Sequence, residues 1–64
     1  MFGESLKNIR LSKGLSQKEL ANILTVSFQT ISHWESNYSE PDLTTLKRLT
    51  EVLNCSYEDL MDCV

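Results

Sequence analysis

A chain of 64 residues, 41% hydrophobic and 23% charged, has room for one small core, which leaves little for a catalytic cleft and the scaffold to hold it. No apolar run approaches a membrane span or a signal-peptide core, so the expectation is a single cytoplasmic domain over residues 1–64, with no membrane partner and no enzymatic activity. A net charge of -3 counts, taken alone, against a nucleic-acid binder, because such domains usually carry a basic surface.

Apolar spacing predicts five helices joined by short turns, with almost no strand-like alternation, and hence an all-α fold. The first, about Glu4 to Lys13, sets Leu6, Ile9, Arg10 and Lys13 at i, i+3, i+4 and i+7 and stops at Gly14, a natural C-terminal cap. The second opens with "SQKE", in which Ser16 can cap and Glu19 can reach back as a capping box; it buries Leu20, Ala21 and Leu24 and exposes Lys18 and Asn22. A turn at Thr25 and Val26 leads to the third helix, at about 28–36, with Ser27 as N-cap, Ile31 and Trp34 inward, and an end near Asn37, a residue that tolerates the left-handed conformation. After a loop at "YSEPD", Asp42 caps the fourth helix, whose stripe is Leu43, Leu46, Leu49, Val52 and Leu53. Ser56 and Asp59 cap the last helix, with Tyr57, Leu60, Met61 and Val64 on one face. Cys55 and Cys63 flank that helix, and eight helical steps separate them by roughly 12 Å, beyond the about 7 Å between Cα atoms that a disulfide tolerates. Both are expected as free thiols, and with one histidine and no zinc-like spacing no metal or cofactor is expected.

The stretch "VSFQTISHWE" raises the functional question. At about 100° per residue, with Ile31 inward, Gln29 and His33 point roughly 160° and 200° away, with Ser32 beside them and Phe28 on the boundary at about 60°. A solvated face is usually rich in Lys and Glu, whereas amide, hydroxyl and imidazole groups both donate and accept hydrogen bonds. That chemistry suits base edges: Gln pairs bidentately with adenine N6 and N7, and an apolar side chain packs on a thymine methyl. A short helix that happens to be uncharged outside explains the stretch equally well until the preceding helix is considered. Two short helices joined by a turn of about four residues, the second capped and polar outside, match the helix-turn-helix unit, whose second helix enters the major groove.

The segment "SQKELANILTVSFQTISHWESNYSEPDLTTLKRLTEVLNCSYEDL" resembles the phage repressor and Cro type of helix-turn-helix domain, also called the xenobiotic-response-element or lambda-repressor-like family, over roughly Glu4 to Asp62. The resemblance rests on "SQKELA", "VSFQTIS", "WE", "EPD" and a terminal "SYEDLM" at the family's spacing. It implies a compact five-helix bundle that binds double-stranded DNA sequence-specifically to regulate transcription. It places Phe28, Gln29 and His33 as base readers, Ser27 and Thr30 in capping and phosphate duties, Gln17 as a phosphate binder at a helix N-terminus, and Asn37, Tyr38 and Ser39 in a loop that touches the DNA backbone. The sequence departs from the family at Thr25 and Asn37, where Gly is common, and at Phe28, where the family often has a basic or amide residue. Phe28 either reads an unusual base or folds back against the core.

Arg10 interrupts an apolar stripe, and either it pairs with Glu35, about 40° from Ile31 and turned inward on the third helix, or the two side chains reach water independently; pairing is the expectation. The same ion pair is a feature of the family. Pairing removes one acidic charge from the expected DNA face, where Gln17 to Ser39 otherwise contribute Lys18 and Glu19, while Glu51, Glu58, Asp59 and Asp62 lie on the last two helices. The contact face is therefore close to neutral, which meets the objection from net charge. A near-neutral face that reads few base pairs calls for two copies, so a repressor acting as a homodimer on a two-fold operator is expected, with Met61 and Val64 either forming the dimer surface or completing the core. Neither an effector-binding domain after the bundle nor a small-molecule effector site is expected. The alternative is a protein-interaction module of the same fold, an antitoxin or anti-regulator, with DNA binding secondary or absent.

Overall fold

The computed structural model describes residues 2–61. The expectations that involve Asp62, Cys63 and Val64 lie outside the described residues. The chain forms α1 (Phe2–Ser12), α2 (Gln17–Leu24), α3 (Phe28–Glu35), α4 (Leu43–Leu53) and α5 (Tyr57–Met61), with no strand among the described residues. None of these helices is long and apolar enough to cross a membrane.

Each helix starts where a side chain can satisfy its first backbone donors. Ser16 Oγ accepts from Glu19 N at 3.0 Å while Ser16 N donates to Glu19 Oε1 at 2.8 Å, a complete capping box. Ser27 Oγ accepts from Thr30 N, and Asp42 Oδ1 from Thr45 N at 2.9 Å. Ser56 and Asp59 repeat the reciprocal pattern at the head of α5. At the head of α4, the Thr45 side chain and then its backbone N–H hold the Asp42 carboxyl below its ordinary pKa by hydrogen bonding.

Every helix sends at least one fully buried residue into a common core: Leu6 from α1, Leu20 and Leu24 from α2, Ile31 from α3, Leu49 and Leu53 from α4, and Leu60 from α5. α1 packs on α3 and α5, α2 on α3 and α4, and α4 on α5, so α3 is braced by α1 and α2 by α4, with α5 joining α1 to α4. Met61 packs partly buried against this core. Cys55, partly buried at the junction of α4 and α5, is a free thiol whose pKa is pushed up by burial and by the nearby Asp59 carboxylate.

Three expectations change. α1 begins at Phe2 rather than Glu4, and Phe2 joins the core at 8% exposure. Gly3 lies against the end of α3, where an added Cβ would meet the Glu35 carbonyl oxygen and stand 2.8 Å from that of Trp34. The N-terminus of α1 thereby faces the C-terminus of α3, a favourable arrangement of helix dipoles. Leu43, assigned to the buried stripe of α4, is 75% exposed. It lies in the first turn, roughly 90° from the mean direction of Leu46, Leu49 and Leu53, so it falls at the edge of the stripe. Lys13, the last position of the expected α1 stripe, lies beyond Ser12 and is exposed, because the chain has already turned toward left-handed Gly14, at φ +72°.

Candidate nucleic-acid interface

Ile31 and Trp34 anchor one side of α3 in the core, at 0% and 5% exposure. With those two buried, the helix has no freedom to roll, and Phe28, Gln29 and His33 all face solvent. Phe28 is 47% exposed, so its ring stays outside rather than folding into the core. The Lys18 ammonium lies 6.0 Å from the centroid of that ring, at the outer limit of a cation–π contact. Lys18, Asn22, Val26, Ser27 and Phe28 border a shallow concavity between α2 and the start of α3. Ser27 and Thr30 engage each other through their hydroxyls at 3.0 Å, which fixes the first turn of the helix.

The other edge of α3 carries a buried polar network. Arg10 Nε donates to Glu35 Oε2 at 2.6 Å and Nη2 to Glu35 Oε1 at 3.2 Å, with both side chains no more than 7% exposed. Arg10 Nη1 donates to the Leu15 carbonyl at 2.8 Å, tying the turn after α1 into the same cluster. Bidentate, charge-assisted pairing of this kind compensates the desolvation of both ions. Gln17, expected to reach a phosphate, uses its Nε2 to donate to Glu35 Oε1 at 2.9 Å. An amide nitrogen carries two hydrogens, so one remains, beside the free N–H groups at the head of α2, for an anion.

Both turns around α3 hold a non-glycine residue in the left-handed region, Thr25 at φ 61° and Asn37 at φ 63°. Thr25 caps α2 through its backbone N–H and exposes its side chain. Asn37 does more: its Oδ1 accepts from Gly3 N at 2.9 Å and so caps α1 across the bundle. That contact occupies the Asn37 amide oxygen, leaving its amide N–H groups and the exposed Tyr38 and Ser39 as the parts of the loop open to a partner. The Tyr38 ring rests on the His33 imidazole, with centroids 4.7 Å apart and planes at 44°.

Sequence reasoning missed Phe2, Gly3, the Gln17–Glu35 bond and the Tyr38–His33 pair. Phe2 did leave a signal, since Phe2, Leu6 and Ile9 fall at i, i+4 and i+7. Gly3 and Gln17 make tertiary contacts, and the Tyr38–His33 pair arises from the turn after α3, none of which leaves a periodic trace.

A family model described as helix-turn-helix matches residues 6–60. Among curated proteins, the chain is 43% identical over 61 residues to the SPbeta prophage-derived uncharacterized HTH-type transcriptional regulator YonR of Bacillus subtilis, covering 95% of this chain and 56% of that protein. It is 35% identical over 60 residues to the HTH-type transcriptional activator BcrR of Enterococcus faecalis, covering 94% of this chain and 29% of that one. To the SPbeta prophage-derived uncharacterized HTH-type transcriptional regulator YopO of Bacillus subtilis it is 30% identical over 61 residues, covering 95% of this chain and 87% of the relative. The chain thus spans about half of the first relative and under a third of the second, but most of the third. No solved structure matches.

Proposed function

This chain belongs to the phage repressor and Cro type of helix-turn-helix family, and on that premise we propose that it regulates transcription by binding double-stranded DNA sequence-specifically. α3 lies in the major groove, where Phe28, Gln29 and His33 meet base edges. Gln17, Ser27, Thr30, Asn37 and Ser39 flank it toward the phosphates, and the Tyr38 ring lies against His33 at the edge of the loop. The observation that carries this reading is the outer face of α3: an exposed amide, imidazole and aromatic ring on a helix capped at its head and locked by Ile31 and Trp34 behind. Gln and an apolar ring supply the chemistry for adenine and for the thymine methyl. On this reading residues 1–64 form one helix-turn-helix domain that acts in the cytoplasm.

Repression as a homodimer is the finer part of the proposal. One recognition helix reads only a few base pairs, and a near-neutral face neutralises few phosphates, so a second copy on an inverted half-site about 10 base pairs away supplies the missing contacts. Selection of bound sequences from random duplex DNA tests both parts. The expected product is an inverted repeat, and inserting five base pairs between its halves abolishes tight binding. Recovery of no common sequence would overturn the assignment of α3, and undiminished affinity after the insertion would overturn the dimer.

One observation favours a second reading, a protein-interaction module of the same fold: the half-exposed Phe28 ring suits an apolar protein surface as well as a thymine methyl. Salt separates the two, since DNA binding weakens steeply as salt rises and an apolar protein contact does not.

A further inference from the structure

We propose that Tyr38 is a positioning residue that holds the His33 imidazole in one orientation for base reading. The inference rests on the reading of His33 as a base contact and adds a residue that acts through it. Tyr38 is 78% exposed, so its ring adds little to the core, yet it lies 4.7 Å from the His33 ring on the outer edge of α3. The loop is built to bring it there. The His33 carbonyl accepts from Tyr38 N at 2.9 Å, from Ser39 N at 3.4 Å and from Ser36 Oγ at 3.1 Å, so the chain after α3 folds back over this one residue. Asn37 makes the reversal in the left-handed region, and its bond to Gly3 N pins the turn to α1.

A lone imidazole on an exposed helix face samples several rotamers, and base reading must freeze one of them at an entropic cost. A tilted aromatic partner removes the competing rotamers in advance. The ring is the working part, because an edge or face contact depends on the aromatic surface rather than on the phenol hydroxyl.

The test uses the full chain and the duplex recovered by random selection, together with duplexes changed at each base pair. H33A identifies the base pair that His33 reads, as the one at which discrimination disappears. Y38A is then expected to weaken binding about 2- to 12-fold per half-site and to reduce discrimination at that same base pair alone. Y38F is expected to restore both, and Y38A is expected to add nothing in an H33A background. In the free protein, the imidazole proton resonances shift on Y38A and stay in place on Y38F, with melting unchanged in both. If Y38F weakens binding uniformly across sequences, Tyr38 works through its hydroxyl on a phosphate and the proposal is overturned. If H33A abolishes discrimination while Y38A leaves it intact, positioning alone is overturned and the base-reading role of His33 stands. If H33A changes no discrimination, both fall.

Discussion

Ile31, Trp34 and Glu35 on one edge of α3 are closed off by α1 and α2, whereas Phe28, Gln29 and His33 on the other meet solvent. On the closed edge Glu35 alone accepts three hydrogen bonds, from Arg10 twice and Gln17 once. The open edge carries side chains that gain nothing for the fold by being amide or imidazole. Eight residues of helix thus divide into a structural edge and a recognition edge. Mutations on the two edges should separate cleanly into losses of stability and losses of binding.

The largest expected effect lies on the closed edge. Arg10→Ala leaves the Glu35 carboxylate buried with only Gln17 to serve it, and should destabilise the fold by about 3 kcal/mol or more. Replacing both partners with apolar residues of similar volume should cost much less, since no charge is then left buried. Chemical denaturation of both single variants and the double variant measures the coupling, and a coupling near zero would mean that the bridge does not hold the edge closed. Gly3→Ala comes next, because the new methyl meets the backbone carbonyls at the end of α3, which cannot move aside as a side chain would. It should cost about 1 to 3 kcal/mol, read as a lower denaturation midpoint with little change in slope.

How far such a division can be read from sequence depends on what fixes each feature. The caps at Ser16, Ser27, Asp42 and Ser56 were legible because donor and acceptor lie three residues apart in the chain. The inward direction of Arg10 and Glu35 was also legible, since each places a charge on an apolar side of its helix. Periodicity gives a direction from the helix axis and nothing about what stands opposite. For that reason periodicity assigns Leu43 to the core, where no facing element covers it, and gives no sign that Gly3 lies against the backbone at the end of α3. Gln17 shows the same limit: its place at the head of α2 was clear, but its bond to Glu35 comes from a residue 18 positions away.

On the open edge, Gln29→Ala and His33→Ala should leave stability within about 0.5 kcal/mol and cost roughly 1 to 3 kcal/mol of specific binding per half-site. Binding titrations on matched and single-mismatch duplexes check this, and full specificity in both variants would show that the open edge is not the reading surface. Gln17→Ala tests the border between the edges. It should weaken binding to all sequences by a similar factor, because phosphates carry no base identity, and also lower stability slightly through the bond lost to Glu35.

The smallest expected effect concerns the two left-handed corners that bracket α3, and here opposite signs are expected from the same substitution. Thr25 is β-branched, sits at φ 61° and exposes a side chain that does nothing to offset the strain. Left-handed backbone costs an L residue roughly 1 to 2 kcal/mol, and glycine returns about 0.4 to 1 kcal/mol of that as extra freedom of the unfolded chain. Thr25→Gly should therefore stabilise by about 0.5 to 1 kcal/mol, a rise of roughly 2 to 8 °C in the melting midpoint of so small a domain. Asn37, at φ 63°, tolerates the same conformation better and uses its amide oxygen to cap α1 at Gly3. Asn37→Gly keeps the turn but removes that acceptor, so about 0.5 to 1.5 kcal/mol of hydrogen bonding is lost with little strain relieved in exchange. A lower melting midpoint for Asn37→Gly beside a higher one for Thr25→Gly would establish that the corner after α3 is a tertiary lock and the corner before it only a turn. Equal rises in both would mean that the Asn37 cap contributes nothing and that the two corners are alike.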